Sequence, residues 1–343
     1  MVCRKLIKTR SLFYGALVLS LTAHALPAAA AAVDASYLYT LSDFTGPIPY
    51  GGAIFVDKQR NEAYVLYQGI VTVFNSTGLE VYRFGENKNL GQIRDLAVEQ
   101  DGSILLLSYN DMGDRFEVIR CNFQGDPKAK IALTGLPPSF KAFQPNHLAY
   151  REGQIYLADN GNLQVVIMDV KGNVKHSLDL FTLLELEENH RNNTLMDGFS
   201  VDKDGSVVFT LPVLFSAFRV SLEGKVASFG KPGSLPGKFG VVAGIITDNR
   251  GNYLVADKLR SVISVFDKDF NFLTEFGYRG NGPGNLIAPM DLAIDGNDSV
   301  YVVQAGNKGV SVFKMHYAEQ GISAGKGVAP DKIKEIEAGR KQQ

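Results

Sequence analysis

Asp95, Asn146, Asp197 and Asp291 each stand within two residues ahead of a short apolar run, and the runs are versions of one another. Aligning all six runs gives a last residue before the run of Ala53, Asp95, His147, Gly198, Gly244 and Asp291. One step earlier stand Gly52, Arg94, Asn146, Asp197, Ala243 and Met290. If the runs stand around a common axis, these positions form two stacked rings. Carboxylate and amide oxygens from Asp95, Asn146, Asp197 and Asp291 are the donors a hard cation such as calcium takes. With Arg94 and His147 added, the same sector would hold a polar ligand. The competing reading is that Asp and Gly there fix the chain, the carboxylates accepting hydrogen bonds from neighbouring backbone amides. His147 is the only ring histidine, and zinc needs about three protein ligands in convergent positions.

The elements that would place these residues are short strands. The runs are Ile54-Phe55-Val56, Leu96-Ala97-Val98, Leu148-Ala149-Tyr150, Phe199-Ser200-Val201, Ile245-Ile246-Thr247 and Leu292-Ala293-Ile294, spaced 42, 52, 51, 46 and 47 residues apart. Most are followed by a tight-turn signal, such as Asp101-Gly102, Glu152-Gly153, Asp204-Gly205 and Asp295-Gly296-Asn297. A second and a third strand follow, and a fourth ends in Phe84-Gly85, Phe229-Gly230 and Phe276-Gly277. A period of this size with short strands and glycine turns predicts propeller blades. The fold class expected is all-β, a six-bladed β-propeller with four antiparallel strands per blade. The sixth repeat lacks its own fourth strand, and Tyr37-Leu38-Tyr39-Thr40-Leu41 resembles Phe272-Leu273-Thr274-Glu275-Phe276. The N-terminal strand is therefore expected to close the last blade, removing two open sheet edges.

The stretch Phe276-Gly277-Tyr278-Arg279-Gly280-Asn281-Gly282-Pro283-Gly284-Asn285-Leu286, with Pro289 to Asp295 after it, resembles the phrase between successive blades of NHL repeats. So do Phe229 to Gly233 through Asp248, and the Ala-Asp pairs at Ala158-Asp159 and Ala256-Asp257. The resemblance covers roughly residues 36 to 316 and implies the NHL-repeat family within the TolB-like six-bladed propeller superfamily. It implies fold more than function, because such scaffolds carry binding modules, lyases and lactonases. Amidating lyases of similar fold hold zinc with three channel histidines, of which this sequence matches one. The lactonase and strictosidine-synthase relatives use a channel acid triad or a glutamate, and these rings have no glutamate. In the family, aspartates at positions such as Asp159 and Asp257 bond turn amides.

The two longest repeats carry their extra length in Thr134 to Gln144, with Phe140 and Phe143, and in Asp179 to Thr194, with Phe181 and a short helix capped by Asp179 expected. Both connections lead to the face where the inner strands begin. Leu214 and Phe215 join them, in a loop that is usually polar. Phe140, Phe143, Phe181, Leu214 and Phe215 would form an exposed apolar patch for a partner, or else the inserted helix packs down and covers them.

Ahead of the repeats, Arg4, Lys5, Lys8 and Arg10 precede an apolar run from Leu12 to Leu21 and small-residue sites at Ala23-His24-Ala25 and within Ala28 to Ala32. This reads as a secretory signal peptide, residues 1–25 with cleavage possible up to 32, and predicts an exported, periplasmic or extracellular protein. No later segment has the roughly 18 apolar residues of a membrane helix, so no membrane span is expected. Without those basic residues the 35 Lys and Arg fall further below the 36 Asp and Glu, leaving about −5. That balance argues against nucleic acid as a partner, because no electrostatic footprint remains. Cys121 is the one thiol beyond the signal peptide and reads as a small buried hydrophobe. The propeller is expected over 36–316 and a linker and charged tail over 317–343. Two functions remain open. One is a binding or scaffold module that presents a loop-rich face to a protein, peptide or cell-envelope component. The other is a metal-dependent lyase or hydrolase working at the channel mouth.

Overall fold

The structure, a computed structural model, describes residues 33–85, 89–110, 115–188, 193–305 and 307–318. The expected signal peptide and nearly all of the expected tail lie outside these residues. Among those described, no helix is long and apolar enough to cross a membrane.

Six four-stranded antiparallel sheets follow one another along the described chain, with a two-stranded ribbon at Ser42–Asp43 and Gly46–Pro47. The first strand of each sheet contains the run that the repeat identified: Ala53–Asp57, Gln92–Val98, His147–Arg151, Phe199–Val201, Val242–Thr247 and Pro289–Ile294. We number the sheets as blades 1 to 6 in that order. The middle strands bury both faces, because a blade packs against a neighbour on either side, and six apolar clusters fill the gaps between neighbours. The cluster between blades 6 and 1 joins Val303, Val310 and Val312 to Val56, Val65 and Phe74, so the row of blades closes into a ring.

Closure is made by the N-terminal strand, Val33–Thr40, which pairs antiparallel with Val310–Tyr317 from Val33 opposite Tyr317 to Thr40 opposite Ser311. It begins four residues before Tyr37, where the sequence pattern starts it. Val33 is buried in the blade 5–6 cluster beside Met315.

The turn after each of three inner strands is held by an acid at or just past the strand's end. Asp57 accepts from the amides of Gln59 and Arg60, Asp248 from those of Arg250 and Asn252, and Asp295 from those of Asn297 and Ser299. In blades 3 and 5, the aspartate ending the second strand does the same for the loops of the opposite face. Asp159 accepts from Gln144, Gly161 and Asn162, and Asp257 from Gly240, Val241, Leu259 and Arg260. This is the turn-bonding role the sequence suggested for them.

Among the described residues, the aromatic side chains expected to form an exposed patch on the long connections are buried. Phe140 and Phe143 are buried between blades 2 and 3, packed with Ile131 and Phe116. The expected short helix is present at Leu180–Leu183, and the Asp179 carboxylate accepts from the Thr182 amide. That helix turns Phe181 inward between blades 3 and 4, where Leu214 also packs. Only Phe215 of the five is exposed, at 37%, on a left-handed backbone (φ 51°) that ends the turn Pro212–Leu214. Apolar side chains on a connection between two wedge-shaped blades gain more by filling the gap than by facing water, and four of the five do so.

Candidate ligand site at the channel mouth

The inner ring is a set of blade-to-blade joints. Asp95 accepts from its neighbour Leu96 N (2.8 Å) and from Leu148 N of blade 3 (2.8 Å). Asp291 repeats the arrangement with Leu292 N (2.9 Å) and Ile54 N of blade 1 (3.0 Å). Each carboxylate thus clasps the next inner strand, one of the two uses weighed for it from sequence. At the same ring position blades 4 and 5 have Gly198 and Gly244. A Cβ on Gly198 would lie 2.3 Å from Ala243 O, and one on Gly244 2.7 Å from Asp291 Cα. Glycine is required there because the strands touch backbone to backbone.

Both carboxylates are partly buried. Burial raises the Asp95 pKa to about 8, against the two amide donors that favour the ionised form and with help from the charge of Asp291. Burial raises Asp291 to about 6 for the same reason. His147 is pushed down to about 4 by burial, which the charge of Asp197 opposes. Its Nδ1 lies 3.9 Å from Asp95 Oδ2, beyond hydrogen-bond reach, and its ring faces Phe199 at 5.9 Å. Near pH 7 the imidazole is neutral, with one nitrogen to donate and one to accept.

The outer ring is more open. Asp197 is paired with Lys258 Nζ of blade 5, and Arg94 donates to Gln92 Oε1 at 3.1 Å while standing 5.8 Å over the Tyr109 ring. A cavity of about 510 Å³ opens between the tops of blades 3 and 4, lined by Asn146, His147, Asn160, Leu195, Asp197 and Val213 among others. Leu195 and Val213 are 54% and 51% exposed. A second hollow, about 430 Å³, lies at blades 1 and 2 beside Arg94 and Tyr67. A third, about 560 Å³, is away from the channel among the outer turns of blades 1 and 2. Its polar residues Arg60, Asp101 and Asn122 are engaged within their own turns.

Of the ring residues named from sequence, the fold brings Asn146, His147 and Asp197 into one cavity. It places Arg94 at another and turns Asp95 and Asp291 onto backbone amides. Among the described residues no three His, Cys, Asp or Glu side chains lie close enough to share a metal. Asp95 and Asp291 each turn both oxygens onto backbone amides, and Asp197 faces an ammonium. Sequence alone does not mark Lys258, Asn160 or Leu195, whereas Val213 stands in the same unusually apolar loop as Leu214 and Phe215. Lys258 directly follows the Ala256-Asp257 pair, a position that the repeat brings to this face. Leu195 carries no sequence signal, because loop conformation alone exposes it.

A family model described as a 6-bladed beta-propeller matches residues 241–319, which span blades 5 and 6. Protein lin-41 of Caenorhabditis elegans is 37% identical over 57 residues, 17% of this chain, and the match spans only 5% of that protein. Among solved structures, a protein of unknown function from Bacteroides thetaiotaomicron superposes with a TM-score of 0.60 at 14% identity, over 83% of this chain and 76% of its own. An auxiliary nutrient binding protein from Bacteroides ovatus gives 0.54 at 11%, over 83% and 77%. A catalytically inactive virginiamycin B lyase from Staphylococcus aureus gives 0.52 at 11%, over 82% and 98%. At these identities the likeness is one of fold, and it spans binding proteins and enzymes alike.

Proposed function

We propose that this six-bladed propeller is an exported binding module whose ligand surface is the blade 3–blade 4 sector of the channel mouth. The observation that carries the reading is the cavity of about 510 Å³ in which His147, Asn146 and Asn160 stand beside exposed Leu195 and Val213. A concave surface with a few polar groups set among apolar ones is what specific binding needs. A neutral imidazole and two amides match the donors and acceptors of a peptide backbone, and Leu195, Pro212 and Val213 offer a seat for one apolar side chain. The ligand is accordingly a peptide or a protein segment, as of a cell-envelope partner. A metal-dependent lyase or hydrolase is the weaker reading, because the carboxylates nearest the axis already serve the joints between blades.

A photo-crosslinking residue at position 213 tests this in cells that make the protein. Discrete adducts are expected from position 213 and not from the same probe at position 123, where Phe123 is 69% exposed on an outer turn of blade 2. Adducts from position 123 alone, or from neither site, would overturn the assignment.

A further inference from the structure

The opposite mouth of the channel, where the inner strands end, is built from different chemistry. The residue two places after each apolar run is Lys58, Gln100, Glu152, Lys203, Asn249 and Gly296, and Arg151 of blade 3 reaches into the same ring. A chain of contacts runs forward around it. Arg151 of blade 3 donates to Lys203 O at 2.6 Å, Lys203 Nζ of blade 4 donates to Asn249 O, and Asn249 Nδ2 of blade 5 donates to Asp295 O at 3.0 Å. At blade 6 the series stops, because Gly296 has no side chain to donate. Lys58 of blade 1 breaks the pattern and reaches backward over that glycine to Asn249 Oδ1, at 3.0 Å.

Three cations from blades 1, 3 and 4 therefore gather at one end of the channel, and two ammonium groups share the single residue Asn249. An ammonium has three donors, and one is spent in each. Of the nearby acids Asp57, Asp248, Asp295, Asp298 and Glu152, one, the exposed Glu152, pairs with any of these cations. Asp57 is held by its own turn amides and by Arg60, Asp295 by the amides of Asn297 and Ser299, and Asp248 by Arg250 N, Asn252 and the Tyr317 hydroxyl. Asp298 is paired with Arg250, and Glu152, which meets Arg151 at 3.1 Å, is 80% exposed. The Lys58 pKa is depressed, first by burial and then by repulsion from Lys203, with Arg151 adding to it and Asp295 and Asp248 opposing.

We propose that this mouth is an anion site, and that Lys58, Lys203 and Arg151 together hold a small oxyanion of the phosphate class. Such an ion accepts several charge-assisted hydrogen bonds at once, which matches unspent donors on three side chains, and it relieves repulsion that the neighbouring blades impose by position. The forward chain of contacts gives Arg151 and Lys203 a part in joining the blades, but it gives none to Lys58.

Inorganic phosphate is the first probe, titrated calorimetrically into the full protein at pH 7 with ionic strength held by chloride. Saturable binding is expected, and Lys58→Gln should weaken it by roughly tenfold or more, as expected for one charge-assisted hydrogen bond. Because Lys58 is exposed and its one bond to Asn249 lies at the surface, the variant should lose little melting temperature in chloride. Vesicles containing phosphatidylglycerol distinguish the source of the group. Lys58-dependent sedimentation together with phosphate binding points to a lipid headgroup, and phosphate binding without sedimentation to a free anion. Absence of saturable phosphate binding, equal binding by parent and variant, or sedimentation without phosphate binding would each overturn the proposal.

Discussion

Replacing Asp95 by asparagine sets two effects against each other, and their pH dependence separates them. In the folded ring the carboxyl pKa stands at about 8 instead of 3.8, because burial outweighs the amides of Leu96 and Leu148. Between those values the folded protein keeps a proton that the unfolded chain has lost. Stability therefore falls as pH rises through the window and levels off above about 8, by about 1.4 kcal/mol per pH unit at most. From pH 5 to pH 8 the parent should lose up to about 4 kcal/mol at this one site, or roughly 8 °C of melting temperature at about 2 °C per kcal/mol for a domain of this size. The substituted amide cannot titrate, but its NH2 group must face one of the two backbone amides that Asp95 satisfies, a constant penalty of about 1–3 kcal/mol. Melts of D95N and the parent at half-unit intervals from pH 5 to 9 should show the variant less stable at pH 5. The gap should narrow and then reverse as pH rises. Asp291 titrates in both proteins, so its loss between about pH 4 and 6 cancels in the difference. A gap that stays constant with pH, or widens towards alkaline pH, would refute the claim that burial dominates, and the carboxylate would then be an ordinary ionised amide acceptor.

Deleting Ser36 to Leu41 strips the outer strand from blade 6 and removes Leu41, which is fully buried between blades 6 and 1. The whole ring should then melt far below the parent and aggregate through exposed strand edges, and an unchanged melting curve would show that another segment closes it. Phe181→Ala should cost about 3–5 kcal/mol by calorimetry or denaturant melts, whereas Phe215→Ser, on a partly exposed side chain, should cost little. Equal losses would mean that the Leu180–Leu183 helix does not turn Phe181 inward as described.

The periodic part of this fold is legible in the sequence because every blade repeats the same physical constraint. All six inner strands lie where the runs Ile54-Phe55-Val56 to Leu292-Ala293-Ile294 stand, and the missing fourth strand of blade 6 points to its replacement. The start of that strand is not legible, because Val33-Asp34-Ala35 has only one strong strand former and its order comes from pairing with Met315 to Tyr317. The non-periodic part shows itself only in composition. Phe140 and Phe181 stand out as unusual, but an aromatic residue in a long loop reads the same whether it plugs a gap or faces a partner. The candidate cavity needs three-dimensional placement, since Asn146, Asp197 and Val213 come from separate turns and nothing in the sequence says that they meet. Asp95 has two readings in the sequence, and only the structure shows the Leu148 amide that the joint between blades requires.

The closing strand also governs when the molecule can become itself. Ser36 and His316 touch across 280 residues of chain. Each inner hairpin can form from neighbours as the ribosome releases it, but the first strand of the ring is paired only by the last. Until Val310–Tyr317 emerges, Val33–Thr40 is a bare strand with no partner, and blades 1 and 5 each have an uncovered flank. Contacts of such separation form slowly, and unpaired edges invite pairing with other chains meanwhile. The same join that leaves the finished ring without a seam makes the growing chain most vulnerable just before it is complete, so this protein's yield in a cell should depend on what shelters its opening strand while the rest is made.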